Sequence, residues 1–255
     1  MKGKQTAKTV FVTGGAKRIG AAICRCFAAA GYRVVLHCHT SVKEGEALAD
    51  ELGGVCVAVD FMDIGAVSSI IPQLIELGFA PDVLVNSASL YKRASLAASI
   101  STLEREMFAI NFEAPFELMR SFKEHCKKGT IINLGDQRTA FTDPAAGIYA
   151  IAKKALASAS EAAALEWAPD IRVNTVAPGL VLSPPGVNPK AMDKLLPKVP
   201  MRKRSSEEDV AKACLYLAEN QTMTGQTLYI DGGLHLLGHS VDQHGLPEIR
   251  AFPAP

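Results

Sequence analysis

The sequence predicts a doubly wound α/β fold, in which a mainly seven-stranded parallel sheet is covered by helices on both faces. Short β-branched runs alternate with longer helical patterns along most of the chain, and this alternation is typical of α/β folds. The β-branched runs are also continuously apolar, as expected for strands that are buried on both faces of a parallel sheet.

The elements follow one another in a regular order. Seven segments are predicted to be strands: 9–12, 33–38, 55–59, 82–86, 130–134, 171–176 and 227–230. Helical patterns include 18–30, 42–52, 101–127, 148–167 and 206–219. The last helix begins with serine and early acidic residues, which favour a helix start. Two regions rich in turn residues are predicted to be irregular: 182–189 and the tail from Gly238.

Length and composition narrow the class of protein. The 255 residues suit one large α/β domain or two small ones, and no linker divides them, so we predict a single domain over 1–255. The formal net charge of +1 favours neither nucleic acid nor an anionic membrane as a partner. No apolar run reaches the roughly 20 residues of a membrane helix. The six scattered cysteines lack metal-ligand spacing and suit a reducing compartment, so we expect a cytoplasmic protein without a metal.

The segment "VFVTGGAKRIG" (10–20) joins the first predicted strand to the first helix through a glycine turn. Gly14 and Gly15 permit a tight turn, and Gly20 permits close helix packing. The N–H groups at the start of such a helix can bind a pyrophosphate. The pattern departs from a regular GxGxxG, because Arg18 stands where the middle glycine is expected. A plain structural turn therefore remains an alternative at this point.

The end of the second predicted strand, "LHCHTS" (36–41), indicates which nucleotide binds. A site for NAD places an acid here to bind the adenosine ribose, but the first carboxylate of this chain is Glu44. The groups available instead are a guanidinium, an imidazole and two hydroxyls, from Arg18, His39, Thr40 and Ser41. These groups suit a 2′-phosphate, so we predict NADPH rather than NADH. An exposed position without cofactor contact is an equal alternative for the imidazole.

Tyr149 and Lys153 are four residues apart in a predicted helix, so their side chains lie on one face, one turn apart. The reference pKa of a tyrosine, near 10, is high for acid–base chemistry at neutral pH. We expect the neighbouring ammonium, helped by an oxidised nicotinamide, to lower it. A surface tyrosine beside a solvated lysine is the alternative, but here the pair follows the fifth predicted strand of a chain with a dinucleotide turn.

Residues 7–237 resemble the short-chain dehydrogenase/reductase family, because several motifs stand in the order found there. They are "TGGAKRIG" (13–20), Asp60 after the third strand, "NSAS" (86–89), Asn111 in a long helix, "YAIAK" (149–153), "APG" (177–179) and "DGG" (231–233). The resemblance implies a seven-stranded Rossmann-type sheet and hydride transfer between NAD(P)H and a substrate. It also implies that Lys153 holds the nicotinamide ribose and tunes Tyr149, while Asn111 anchors a water of the proton path.

The same resemblance implies a wider cofactor site and a homotetramer. The implied cofactor-binding residues are Gly14, Lys17, Arg18, Ile19, Gly20, His39, Thr40, Ser41, Asp60, Phe61, Asn86, Ala88, Ser89, Tyr149, Lys153, Pro178 and Gly179. The proline-rich region 180–204 corresponds to the substrate loop of the family, where we expect it to close over the substrate. The tail 238–255 runs past the usual end of the family.

Three features resemble one branch of the family, the pteridine reductases and the bacterial dihydromonapterin and dihydrofolate reductases. They are an arginine in the first turn, an "HxHxS" strand end and an aspartate where most members carry serine: Arg18, "HCHTS" (37–41) and Asp136. A serine hydroxyl suits the reduction of a ketone, because it can hold the substrate carbonyl. The reduction of a pterin differs, because a ring nitrogen must be protonated as hydride reaches the neighbouring carbon. By resemblance, Asp136 forms an acid pair with Tyr149, thirteen residues on; capping a turn is the alternative.

Further substrate contacts are implied for the loop after the fourth strand. Tyr91 stands where the branch has phenylalanine and would stack on the pterin ring, or it is an ordinary loop tyrosine. Ser89 would bind the pterin edge or a cofactor phosphate, and Arg18 would serve both. Thr40 is a departure, because the branch often has arginine there for the 2′-phosphate.

We therefore expect NADPH-dependent reduction of a dihydropterin or dihydrofolate to the tetrahydro form, and possible use of the oxidised pterin. Tyr149 is the expected proton donor, assisted by Asp136 and Lys153. The alternative within the family is reduction of a ketone or 3-oxoacyl thioester, against which Asp136 argues. A non-catalytic NADPH-binding sensor is the alternative of another class, and the complete set of Tyr149, Lys153 and Asn111 argues against it.

Overall fold

The computed structural model describes residues 7–92, 96–97, 101–183 and 189–239, and it confirms the predicted fold class. These residues form a seven-stranded sheet with the order β3-β2-β1-β4-β5-β6-β7, in which every neighbouring pair is parallel. Its strands are β1 (Thr9–Val12), β2 (Arg33–Cys38), β3 (Val55–Ala58), β4 (Val83–Asn86), β5 (Gly129–Leu134), β6 (Ile171–Pro178) and β7 (Thr227–Ile230).

Helices connect the strands and cover both faces of the sheet. They are α1 (Arg18–Ala29), α2 (Val42–Leu52), α3 (Ile64–Glu76), α4 (Ser101–Phe108), α5 (Ala114–His125), α6 (Gly147–Glu166), α7 (Pro189–Asp193) and α8 (Glu207–Glu219). The predicted start of α8 is confirmed as a capping box, in which Ser206 accepts from the Asp209 N–H and the Asp209 carboxylate accepts from the Ser206 N–H. The helix α3 was not among the helices that we named from the sequence.

The central strands are buried on both faces, because their side chains alternate between the faces and helices pack against each one. In β1, Val10 and Val12 pack on one face with Phe27 of α1 and Leu217 of α8. Phe11 points to the other face, where the core includes residues of α3 and α5. This two-sided burial explains the continuously apolar strands of the sequence.

The predicted helix 101–127 is not one continuous α-helix, which corrects the expectation. A π-helical turn, Ala109–Glu113, separates α4 from α5, and within it the Ala114 N–H donates to the Ala109 carbonyl. The extra residue of a π turn changes which side chains face inward. Here it accompanies the full burial of Asn111, a feature that apolar periodicity does not reveal.

The sheet order reverses beside β1, which pairs with both β2 and β4. Ligands of doubly wound proteins bind in the crevice at this reversal, beyond the carboxyl ends of the strands. The loops after β1, β4, β5 and β6 meet there. Most of the predicted irregular region 182–189 and the tail beyond residue 239 lie outside the described residues. Within the described ranges, no helix is both long enough and apolar enough to span a bilayer.

Candidate active site

A cavity of about 380 Å³ lies at the carboxyl ends of the central strands. It brings together the residues predicted to handle the substrate and the proton: Arg18, Ser89, Tyr91, Asp136, Tyr149 and Lys153. Three predicted cofactor residues, Ile19, Pro178 and Gly179, also line it. Side chains from five separate segments of the sequence therefore converge on one crevice.

Asp136 follows β5 and uses its two carboxylate oxygens for different contacts. The Tyr149 hydroxyl donates to Asp136 Oδ2 over 2.8 Å. Asp136 Oδ1 accepts the backbone N–H of Arg138 over 2.8 Å and caps the short 3₁₀ turn Gln137–Ala140. The expected pairing with Tyr149 and the alternative, a turn cap, are therefore both present. The tyrosine hydroxyl binds Oδ2, and the backbone N–H of the turn binds Oδ1.

The pKa of Tyr149 is raised well above its usual value, first by burial and then by the charge of Asp136. Arg138 and a hydrogen bond with Ser89 lower it, but by less. In the protein alone the direction is therefore opposite to the lowering that we expected from Lys153. A phenol with a raised pKa keeps its proton at neutral pH, which suits a proton donor.

Lys153 lies on the same face of α6 as Tyr149, as predicted. Its ammonium donates to the Leu134 carbonyl over 2.8 Å and lies 5.9 Å from the centre of the Tyr149 ring. Burial lowers the pKa of Lys153 to about 8, against the opposing effect of Asp136. The side chain is thus a buried cation held at the end of β5, beside the cavity.

Asn111 anchors the loop that follows β4. Its amide N–H groups donate to the carbonyls of Leu90 and Met107 over 2.8 and 2.9 Å, and its oxygen accepts the Ser89 hydroxyl over 2.7 Å. These bonds fix Ser89 at the cavity wall. The role of Asn111 in holding a water stays a prediction.

Tyr91 forms another part of this wall. Its ring meets the ring of Tyr149 edge to face, with 4.8 Å between centres. The guanidinium carbon of Arg138 lies 5.5 Å from the centre of the Tyr91 ring. Tyr91 therefore packs against the proton-donor candidate and is not an isolated loop residue.

The turn between β1 and α1 is built by close backbone approaches. A Cβ on Gly14 would come within 2.8 Å of the Ala88 Cα, and one on Gly20 within 2.1 Å of the Gly14 oxygen. The Thr13 hydroxyl accepts the N–H groups of Ser87 and Ala88. No side chain caps the start of α1 at Lys17, so its first N–H groups are available to an anion. This arrangement fits a dinucleotide phosphate.

Arg18 begins α1 with a φ of 55°, in the left-handed region that favours glycine. Its guanidinium donates to the Ser183 carbonyl over 2.8 Å, which links the first turn to the start of the predicted substrate loop. The structure thus places Arg18 in the same cavity as Asp136 and Tyr149.

Of the residues predicted around a 2′-phosphate, Arg18 lines this cavity, whereas His39, Thr40 and Ser41 lie beyond the end of β2 and outside it. Lys17 pairs with Glu44 over 2.5 Å, and His39 Nε2 lies 3.7 Å from an Asp60 oxygen. Thr40 is exposed, and Ser41 stands at the start of α2 without a side-chain capping bond. These are half-exposed polar groups near the first turn.

Comparison with known proteins assigns the family. A family model described as "Enoyl-(Acyl carrier protein) reductase" matches residues 14–235, most of the chain. The chain belongs to the short-chain dehydrogenase/reductase family. FolM alternative dihydrofolate reductase 1 from Brucella suis, solved in complex with NADP, has 32% identity and a TM-score of 0.85 over 90% of this chain and 95% of its own.

Two curated relatives of this short-chain dehydrogenase/reductase point to different substrates. Pteridine reductase 1 from Leishmania tarentolae is 29% identical over 91% of this chain and 97% of its own length. The 3-oxoacyl-[acyl-carrier-protein] reductase FabG from Staphylococcus aureus is 25% identical over 90% of this chain and 98% of its own. Both comparisons extend over nearly the whole chain, so overall similarity alone does not separate pterin reduction from ketone reduction.

His37 supports the cofactor turn of this short-chain dehydrogenase/reductase, a role that was not predicted from the sequence. The Gly14 N–H donates to His37 Nδ1 over 3.2 Å, so the proton of the neutral ring lies on Nε2, which donates to the Val59 carbonyl over 2.9 Å. The ring stacks on Phe61 with 4.1 Å between centres. Burial lowers the pKa of His37 to about 4. The sequence feature that could have indicated this role is the "HxHxS" motif, of which His37 is the first histidine.

Phe61 and Asp60, which were both predicted to bind the cofactor, contact other residues of this short-chain dehydrogenase/reductase. Phe61 is buried against His37, and Asp60 Oδ1 accepts the Met62 N–H over 2.9 Å. Asn86 is buried and donates to Asn133 Oδ1 over 2.8 Å. Its side chain is directed to the interior and is not among the residues that line the cavity, so its contact with the cofactor stays a prediction.

Arg138 is the second residue that the sequence reasoning missed. It is buried, and it contacts the carboxylates of both Asp136 and Asp143. An arginine two residues after Asp136 carries no periodic or motif signal, because its partners are brought together only by the fold of the loop.

Proposed function

We propose that this chain is an NADPH-dependent reductase that converts a dihydropterin or dihydrofolate to its tetrahydro form. The observation that carries the proposal is the 2.8 Å hydrogen bond between Tyr149 and Asp136, at a position where a ketone reductase of the family carries serine. The Leishmania and Brucella relatives, named as pteridine and dihydrofolate reductases, support the same substrate class.

The residues of the first turn fit NADPH. The open N–H groups at the start of α1 would hold the pyrophosphate, and Lys153 would hold the nicotinamide ribose. The groups that would meet the 2′-phosphate are Arg18 and, beyond the end of β2, His39, Thr40 and Ser41. When bound, NADPH supplies a hydride to the substrate. The NADP complex of the Brucella suis relative supports this assignment.

Proton delivery would fall to Tyr149. Its raised pKa keeps the hydroxyl protonated at neutral pH, so Oη can donate to a pterin ring nitrogen in the cavity. Asp136 Oδ2 would hold Oη in place and pass on a proton from solvent. The buried Lys153 ammonium would offset the negative charge that develops on the phenol oxygen.

The walls of the cavity suit a flat heterocycle. Tyr91 offers an aromatic surface beside Tyr149, and Ser89 offers a hydroxyl that Asn111 holds in place. Arg18 would contact an anionic edge of the pterin or the cofactor. By the same family resemblance we expect a cytoplasmic homotetramer, which light scattering can measure.

The test compares wild type with Asp136→Ser and the exposed control Asp50→Ser. NADPH oxidation is followed with dihydrobiopterin, dihydromonapterin, dihydrofolate and an acetoacetyl thioester. We expect wild type and the control to reduce a pterin, and Asp136→Ser to lose about 100-fold in kcat, a typical contribution of general acid–base catalysis. Asp136→Ser should still fold, because Arg138 keeps its 2.9 Å bond to Asp143.

The outcomes separate the alternatives. Turnover of the thioester alone would reject the pterin substrate and indicate a ketone reductase. NADPH binding without turnover of any of these substrates would favour the non-catalytic sensor. Full activity of Asp136→Ser with a pterin would show that the proposed acid pair is not needed.

A further inference from the structure

The charged groups next to the Tyr149–Asp136 pair form a connected set in the β5–α6 connection. Arg138 Nε donates to Asp143 Oδ2 over 2.9 Å, and Arg138 Nη1 lies 3.3 and 3.4 Å from the two oxygens of Asp136. The side chains of Arg138, Asp136 and Asp143 are only 10%, 14% and 2% exposed. One guanidinium thus lies between two nearly buried carboxylates.

Such an arrangement depends on the geometry of arginine. The guanidinium is planar, remains charged and carries several donors in a fixed fork, so it can bind two carboxylates at once. A lysine has one compact ammonium and cannot reproduce both contacts with the same geometry. Without a cation, two buried carboxylates at this spacing would repel each other and lose the partner that compensates their desolvation.

The orientation of Asp136 follows from these contacts. Oδ1 accepts the backbone N–H of Arg138, which holds this oxygen on the side of the turn, while the Arg138 guanidinium contacts both oxygens and fixes the plane of the carboxylate. Oδ2 is thereby directed to the Tyr149 hydroxyl. The positive charge of Arg138 also lowers the pKa of Tyr149, against the larger effects of burial and Asp136.

Asp143 joins this set to the helix that carries Tyr149. Its Oδ1 accepts the Ala145 N–H over 3.1 Å, and its backbone carbonyl accepts the Ala146 N–H over 3.1 Å, immediately before α6. Arg138 therefore connects the end of β5, which bears Asp136, with the first residues before α6.

We propose that Arg138, anchored by Asp143, is a positioning residue that fixes the Asp136 carboxylate on Tyr149 and sets the charge around this pair. The proposal rests on the proposed function, because it concerns the pair that would protonate the substrate. Arg138 is not among the residues that line the cavity, so it acts through Asp136 and does not touch the substrate.

Among the described residues, several side chains contribute to the pH dependence of the pair. Tyr149 is faced by side chains from the loop after β4, from the β5–α6 connection and from its own helix: Ser89, Tyr91, Asp136, Arg138 and Lys153. Removing the charge of Arg138 removes an effect that lowers the pKa of Tyr149. The pH profile of the pair as a whole must therefore move to higher pH.

The experiment compares Arg138→Met, Arg138→Lys and the exposed control Arg120→Met, using whichever substrate wild type turns over. For Arg138→Met we expect kcat to fall about 100-fold and the pH profile of kcat to move up by about one unit. KM and the Kd of NADPH should change less than about threefold, because the cavity wall is intact.

Arg138→Lys should lose about tenfold in kcat with an unmoved pH profile, because the positive charge stays and the forked geometry of the guanidinium is lost. Arg120→Met should match wild type.

A second measurement needs neither cofactor nor substrate. Amide hydrogen exchange across 136–146 should be faster in Arg138→Met than in wild type or Arg120→Met, because the connection loses its bridge. Unchanged exchange together with an unmoved pH profile would overturn the proposal. If Arg138→Met does not fold, Arg138→Lys tests the positioning role alone, because faster exchange and reduced kcat are expected there, and wild-type values of both would overturn the proposal. If only the thioester is reduced, the pterin assignment fails while Arg138 is still tested on that substrate.

Discussion

His37 shows how one buried side chain can hold the cofactor turn. The ring accepts the Gly14 N–H on one nitrogen and donates to the Val59 carbonyl from the other. Only the neutral ring with its proton on Nε2 satisfies both bonds. The tautomer is therefore set by backbone groups just beyond the ends of β1 and β3. Protonation would place a second N–H donor, on Nδ1, against the N–H of Gly14.

We predict that His37 makes the protein less stable in acid. Its pKa is lowered from 6.5 to about 4 by burial, so between these values the unfolded chain binds a proton that the folded chain does not. Its contribution to stability is complete above pH 6.5 and is lost as the pH falls through about 4. At 1.36 kcal/mol per pKa unit, the loss in the free energy of unfolding is about 3 kcal/mol.

Urea unfolding at several pH values measures this effect against His37→Asn. Asparagine can accept the Gly14 N–H through its side-chain oxygen but does not titrate. The variant should therefore lack about 3 kcal/mol of the acid dependence of wild type. An identical pH dependence in the two proteins would show that His37 does not contribute.

The element that joins β1 to α1 depends on a glycine that no other residue can replace. A Cβ at Gly20 would lie 2.1 Å from the Gly14 oxygen, a backbone atom that cannot move without opening the turn. We predict that Gly20→Ala loses about 3 kcal/mol in the free energy of unfolding, as in overpacked cores. Its affinity for NADPH should fall at least about 100-fold, because the phosphate-binding N–H groups are displaced.

Gly65→Ala is the matched control, because Gly65 also lies near the start of a helix. Its nearest atom to an added Cβ is the Asp63 side-chain oxygen at 3.3 Å, which has room to adjust. This variant should keep its NADPH affinity and its stability within about 1 kcal/mol. Calorimetry and urea unfolding give both quantities, and equal losses in the two variants would contradict the packing argument.

At the scale of elements, the sequence predicted the strands to within one or two residues, since apolar runs and turn residues define them well. It did not predict the interruption of the helix at Ala109–Glu113. Apolar periodicity spans that segment, whereas the interruption accompanies a hydrogen bond of Asn111 to the Leu90 carbonyl in the loop after β4. Such bonds join parts of the chain that only the fold brings together.

The candidate site was predicted unevenly for a similar reason. Asp136, Tyr149 and Lys153 were predicted from spacing and resemblance, and they line one cavity. Arg138 was missed because its contact with Asp143 arises from a loop without periodicity. The raised pKa of Tyr149 was missed because burial, its largest cause, has no signature at the residue itself.

At the scale of the whole molecule, the residues of the candidate site come from the segments that follow four strands of one sheet. A ligand in this crevice must contact elements that are separate in sequence, so its binding should stabilise the entire domain. A ligand at about 100 times its Kd adds about 2.7 kcal/mol to the folded state. For a chain of this size we therefore predict that NADPH raises Tm by roughly 5–10 °C.

Thermal unfolding with NADPH and with NADH at equal concentration tests this prediction and the choice of nucleotide together. NADH should raise Tm by less, because it lacks the 2′-phosphate that the groups beyond β2 would bind. In Gly20→Ala, NADPH should raise Tm by less than about 2 °C, because the expected 100-fold loss of affinity leaves about 0.4 kcal/mol of stabilisation. Equal shifts with NADH and NADPH in wild type would contradict the preference for NADPH.

The π-helical turn between α4 and α5 also limits how the length of this chain can change. A π turn takes up one residue more than a regular helical turn, so the deletion of one residue within Ala109–Glu113 would give a regular helix whose flanks keep their relative orientation. A further insertion has no such turn to absorb it, and because each residue of an α-helix advances by about 100°, it would rotate one flank against the other. Asn111 would then leave Leu90, or the apolar face of α5 would leave the core. This stretch should therefore accept the loss of one residue more readily than the gain of one.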